Sequence, residues 1–265
     1  MSGGARRAEY LEALGIDGWV PRVASAGSTT AEFVSELEPE PAFEPKSIEP
    51  PASAAAGSAP ERPGAAGVAE AWEQLLAQVR ACTACALHET RTQAVFGVGN
   101  RRAEWMVIGE APGAEEDRRG EPFVGRAGQL LDAMLRSIGL GRETNVYIAN
   151  ILKSRPPGNR DPRPEEVAAC LPYLHRQIAL VRPKLLLAVG RIAAQTLLGT
   201  DVPLAHLRGR AHTFGEQHVP LVVTYHPAYL LRSPAEKRKA WEDLQFARSL
   251  FAQLRDPEPN DGHRS

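Results

Sequence analysis

Apolar positions along this chain fall into two alternating patterns: short unbroken runs, and longer stretches with a period near 3.6 residues. The runs "EWMVIG" (104–109), "NVYIAN" (145–150), "KLLLAVG" (184–190) and "VPLVVTYH" (219–226) read as strands. Helical periodicity predicts helices over 68–80, 127–138, 164–181, 191–198 and 234–254, and in the second of these Leu130, Leu131, Met134, Leu135 and Ile138 form an apolar stripe. Strand and helix in alternation predict an α/β fold: a central, mostly parallel four-stranded sheet covered on both faces, giving a three-layer α/β/α sandwich. No internal repeat interrupts the order.

Composition changes this picture at the ends. From 36 to 67 the text "ELEPEPAFEPKSIEPPASAAAGSAPERPGAAG" offers almost nothing large to bury, which predicts a disordered linker. The chain therefore divides into a short peptide (1–22), a linker (23–67), a folded body (68–255) and a tail (256–265). Residues 1–67 hold 5 Lys and Arg against 10 Asp and Glu, whereas residues 68–265 hold 26 against 22. A near-neutral total thus hides a mildly basic body, which suits a polyanion. No run of about 18 apolar residues could span a bilayer, and no signal-peptide core is present, so a cytoplasmic protein is expected. In a reducing compartment three cysteines, two of them spaced C-x-x-C at Cys82 and Cys85, point to metal or redox chemistry rather than to disulfides.

Open α/β sheets bind ligands beyond the carboxyl ends of their strands. Three of the four predicted strands run into polar text there: "GEAPGAEED", "NILKSRPPGNR" and "HPAYLLR". Any one of these reads as a turn. Three at one sheet edge predict a binding site.

The series "FGVGN", "GEAPGAEEDRRGEPFVGRAGQLLD", "NILKSRPPGNRDP" and "HPAYLLR", spread from Cys82 to about Arg232, resembles the family 4 uracil-DNA glycosylases, the iron–sulfur branch of that superfamily. The resemblance implies a monofunctional hydrolase that flips uracil out of DNA and cuts its N-glycosidic bond, leaving an abasic site for base-excision repair. It assigns Gly109, Phe123 and Asn150 to the base, with Phe123 stacking beneath it and the Asn150 amide reading O4 and N3–H. His226 would donate to uracil O2 as charge flows onto the leaving base, and Glu110 or Glu116 would position water or stabilise the sugar. Lys153, Arg155 and Arg160 would meet phosphates. Leu230, Leu231 and Arg232 would fill the gap left in the duplex. The enzyme is expected to act as a monomer on uracil-containing DNA.

The resemblance also implies a 4Fe-4S cluster held by four cysteines. Cys82, Cys85 and Cys170 match three positions, and Ser154 stands at the fourth. A serine hydroxyl is a harder and far less acidic ligand than a thiolate. Three readings stay open: a cluster on three thiolates with an oxygen or external ligand, no cluster, or zinc. In this family the cluster is structural and lies beside the DNA-facing loop.

Residues 1–22, "MSGGARRAEYLEALGIDGWVPR", carry Tyr10, Leu11, Leu14, Ile16, Trp19 and Val20 on a segment too short to fold alone. The text resembles the N-terminal peptide of the psi subunit of bacterial DNA polymerase III, which implies the chi subunit as a partner. A non-catalytic scaffold that recruits chi is the alternative to an active glycosylase. A covalent branch of the superfamily is disfavoured because "SRPPGNRDPRPEE" contains no His.

Overall fold

The computed structural model describes residues 65–255. The expected peptide at 1–22, nearly all of the expected linker and the tail at 256–265 lie outside the described residues. The elements are α1 (Ala65–Ala81), α2 (Leu87–Thr90), β1 (Val98–Gly99), β2 (Trp105–Gly109), α3 (Ala114–Arg119), α4 (Arg126–Ser137), β3 (Val146–Asn150), α5 (Pro164–Val181), β4 (Leu185–Val189), α6 (Arg191–Leu198), α7 (Leu204–Leu207), β5 (Ala211–Phe214), β6 (Val219–Thr224), α8 (Pro227–Arg232) and α9 (Lys237–Arg255).

The sheet has six strands in the order β1-β3-β2-β4-β6-β5, not four. Its centre, β3-β2-β4-β6, is parallel as expected. The additional strands are antiparallel edges. Two-residue β1 is too short to leave a pattern, and in β5 no residue is fully buried, so neither gives an apolar run.

Every residue of β2, β3 and β4 is buried because helices cover both faces, and such strands read as continuous hydrophobic text. Alternate residues serve opposite cores. Met106, Ile108, Ala149 and Leu186 pack with Trp72 and Leu75 of α1 and Leu174 of α5. Trp105, Val107, Ile148 and Leu187 pack with Leu131 and Leu135 of α4 and Leu244 of α9. Each fully buried Leu, Ile or Val contributes roughly 1.5–3 kcal/mol relative to exposure.

Local chemistry sets the helix ends. Helix α5 opens with Pro164 in its first turn, and the Glu166 carboxylate accepts the Arg163 N–H at 2.8 Å; it closes on left-handed Arg182 (φ 53°) just before Pro183. The predicted helix over 234–254 instead begins as a 3-10 turn, Pro234–Glu236, before α9.

In register, Gly109 lies beside Asn150 and Val189 beside Thr224, so the four parallel strands end at one level. The chain leaves β2 for β3 on one side and returns to β4 on the other. A crevice opens at that reversal.

Candidate active site

A cavity of about 420 Å³ occupies this edge. Its walls come from the loop after β2 (Glu110, Gly113, Glu116), from Phe123, from the end of β3 (Asn150), from the loop before α5 (Arg160, Asp161) and from α8 with its cap (His226, Tyr229, Arg232).

Phe123 forms one wall, and its backbone is in the left-handed region at φ 55°. Arg142 holds it there, donating to Phe123 O at 2.8 Å and Pro122 O at 3.2 Å while also donating to Asp132 at 2.9 Å. Two glycines make room. A Cβ on Gly128 would stand 1.8 Å from Phe123 O, and one on Gly109 would stand 2.5 Å from Asn150 Oδ1 and 2.6 Å from Phe123 Cζ. Gly109 therefore acts by lacking a side chain, which lets the Phe123 ring and the Asn150 amide meet over it.

Asn150 is buried, and its Oδ1 has no hydrogen-bond partner. A buried acceptor without a donor costs on the order of 1–3 kcal/mol, and such groups concentrate at functional sites. Its backbone is fixed from beneath: Lys153 Nζ donates to Asn150 O at 2.8 Å and to Gln177 Oε1 at 2.6 Å. Gln177 in turn donates to Phe96 O at 2.9 Å and to Tyr147 Oη at 3.3 Å. Lys153 is 2 % exposed, so the expectation that it meets a phosphate is corrected. The chain continues straight past β3, with Ile151 and Leu152 donating to Gly109 O and Glu110 O, and this carries Lys153 into the interior. Burial pushes its ammonium down to about 7.

The two carboxylates after β2 have separate fates. Glu116 accepts from the N–H groups of Gly113, Val124 and Gly125 at 3.0–3.1 Å, so it buckles the two loops of the wall together. Glu110 lines the cavity half-buried. Burial pushes it up to about 7, the nearby Asp161 carboxylate adds to the rise, and Arg191 opposes it. Arg191 is itself paired with Asp161 at 2.6 Å.

His226 caps α8, accepting the Ala228 N–H on Nδ1 at 3.1 Å. An accepting Nδ1 leaves the proton of the neutral ring on Nε2. Burial, followed by the charge of Arg232, pushes the imidazole down to about 4, with Glu116 opposing, so the ring is neutral at physiological pH.

The outer residues divide. Arg160 lines the cavity but is paired with Glu166 at 2.9 and 2.5 Å, and Arg155 donates through Nε to Asn159 at 2.8 Å. Leu230 is 1 % exposed and packs in the core of α4 and α9, which corrects its assignment to the wedge; Leu231 and Tyr229, each 37 % exposed, stand outward. Helix α8 turns Pro227 and Leu230 inward, so of the three residues assigned to the wedge only Leu230 faces the core. Tyr229, Asn159 and Asp161 line the cavity without having been singled out in the sequence, and Arg142 is a support that only the fold reveals.

A second cleft, between α1 and α5, is lined by Cys82, Cys85 and Cys170 together with His88, Arg91 and Ser154. Three cysteines around one cleft fit three corners of an iron–sulfur cluster. Ser154 does not fit the fourth, because its Oγ accepts from Arg91 Nη1 at 2.9 Å. Arg91 is further tied to Arg80 O and Cys82 O, at 2.7 and 3.0 Å. Among the described residues no group of three or more His, Cys, Asp or Glu side chains could hold a metal ion as arranged, so the single-zinc reading has no support.

Comparison with known proteins matches residues 96–245 to the Uracil DNA glycosylase superfamily. The Type-4 uracil-DNA glycosylase of Archaeoglobus fulgidus is 42 % identical over 182 residues, 66 % of this chain and 91 % of the relative. That of Thermotoga maritima is 43 % identical over 187 residues (69 % and 95 %), and that of Pyrobaculum aerophilum 42 % over 172 residues (63 % and 87 %). No described helix is long and apolar enough to cross a membrane.

Proposed function

The chain belongs to the uracil-DNA glycosylase superfamily, and from this footing we propose that it excises uracil from DNA by hydrolysing the N-glycosidic bond, the first step of base-excision repair. The single observation that carries the reading is the unpaired Asn150 Oδ1, buried in a cavity whose walls include an aromatic ring and a neutral histidine. An amide at this place accepts from uracil N3–H and donates to O4. Cytosine, with a bare N3 and an amino group at position 4, leaves both ends mismatched.

The base, extruded from the helix, stacks on Phe123. As the C1′–N1 bond breaks, the electron pair passes to the base, and the charge gathered at O2 is met by His226 Nε2–H. A neutral donor in a dry pocket stabilises that charge without giving up its proton. Water adds to C1′ of the oxocarbenium-like sugar and loses a proton to the Glu110 carboxylate, which the backbone-bound Glu116 cannot replace. Arg155 and Arg232, with Leu231 and Tyr229 at the rim, supply the groups for the displaced strand and the vacated stack. Cys82, Cys85 and Cys170 would hold a cluster that, when bound, supplies a cross-link between the start of the body and α5. No observation favours the inactive scaffold.

Excision from a uracil-containing oligonucleotide by the full chain tests the reading, with Asn150→Ala as control. A wild-type rate no greater than that of the variant would overturn it.

Residues 1–22 are proposed to bind the chi subunit on the strength of their sequence alone. Titration calorimetry of the full chain, proposed to be a monomer, with chi tests this: heat should disappear in Trp19→Ala, and no heat with the intact chain refutes it.

A further inference from the structure

We infer that His88, not Ser154, is the fourth protein ligand of the cluster. The inference rests on the proposal that Cys82, Cys85 and Cys170 hold one. Three observations carry it.

The first is spacing. Cys82, Cys85 and His88 form C-x-x-C-x-x-H. Bacterial ferredoxins bind three corners of one cubane with C-x-x-C-x-x-C and take the fourth from a remote cysteine. Cys170, far along the chain on α5, stands as that remote ligand, and the third local position carries an imidazole instead of a thiolate. All four residues line the same cleft.

The second is the tautomer of His88. Its Nδ1 lies 2.8 Å from Cys85 O. A carbonyl oxygen only accepts, so Nδ1 carries the proton and the lone pair of the neutral ring is on Nε2. Ligating histidines in proteins are oriented in this way, with the far ring nitrogen donating to a carbonyl or carboxylate.

The third is the engagement of Ser154. Its Oγ is held by a guanidinium with two further backbone anchors, so it is both a weak donor to iron and committed elsewhere. The corners of a four-iron cube stand further apart than the ligands of one ion, so a cleft unsuited to a single metal ion is compatible with the cube.

The test uses anaerobically purified full-length chain with iron and sulfide analysis, and pulsed electron paramagnetic resonance of the reduced protein. Wild type and Ser154→Ala should carry equal iron, His88→Ala at least twofold less, and His88→Cys should restore it. Nitrogen-14 modulation from a coordinated imidazole should be present in wild type and Ser154→Ala and vanish in His88→Cys. Iron lost in Ser154→Ala but retained in His88→Ala, or a wild-type cluster without nitrogen coupling, overturns the assignment while sparing the three-cysteine site. Iron near zero in wild type and in Ser154→Cys overturns the site itself, and the assignment with it.

Discussion

The rings of Phe123 and His226 lie 5.6 Å apart at 31°, on opposite sides of a junction that the sequence separates by about a hundred residues. A Cβ on Gly190 would stand 3.0 Å from His226 Cβ, so the bare backbone of this glycine, at φ 98°, is what makes room for the histidine. His226→Ala should slow excision by about 2–4 kcal/mol in the barrier and, through the lost cap on the Ala228 N–H, cost about 0.5–2 kcal/mol of stability. Single-turnover excision and a melting curve on the same preparation check both halves.

Asn150→Ala removes the base-reading amide together with a buried unpaired acceptor. Excision should fall by a similar 2–4 kcal/mol, yet the fold should not weaken and should gain up to about 1 kcal/mol. Urea unfolding alongside the activity assay separates these effects.

Glu110 predicts a pH dependence of known sign. If its carboxylate takes the proton from water, the rate should rise with pH through about 7 and level off above it. Stability should move the other way. The folded state binds the Glu110 proton more tightly than the unfolded chain, so its contribution is full below about 4.5 and lost as pH rises through 7. With solvent screening of this half-exposed group, Glu110→Gln should gain on the order of 1–2 kcal/mol over wild type at pH 8 and little at pH 4. A pH series of single-turnover rates and melts for both proteins measures it.

Leu230 and Leu231 should respond oppositely. Leu230→Ala opens a cavity between α4 and α9 and should cost about 2–5 kcal/mol of stability. Leu231→Ala should leave stability within about 0.5 kcal/mol but slow excision from duplex more than from single-stranded DNA, because only a duplex leaves a gap to fill.

The buried network under Asn150 yields a further outcome. Lys153→Met leaves Asn150 O and Gln177 Oε1 without their donor and should destabilise the fold by about 1–3 kcal/mol while slowing excision. A raised KM for uracil DNA at unchanged kcat would refute a positioning role.

How much of this was legible follows from what each residue packs against. The parallel strands were visible because burial on both faces removes polar interruptions from Trp105–Gly109, Val146–Asn150 and Leu185–Val189. Phe123, Asn150 and His226 were visible as motif residues at one sheet edge, and the cavity brings them together. Lys153 was misread because it stands in text rich in arginine and proline, whereas its own position is set by the two residues of ladder beyond β3, Ile151 and Leu152. The different duties of Glu110 and Glu116 depend on which backbone N–H groups lie across the loop, and no local pattern encodes that.

Phe123 sits at φ 55°, a conformation that costs a bulky residue on the order of 1–3 kcal/mol and glycine almost nothing. Phe123 is nevertheless only 6 % exposed and belongs to the core cluster of Leu130 and Leu131, and deleting such a ring costs about 3–5 kcal/mol, more than the relaxed backbone would return. One ring therefore serves both as the platform for a base and as part of the core, so a variant that loses the platform loses endurance with it. Heat resistance and base stacking are selected together at residue 123.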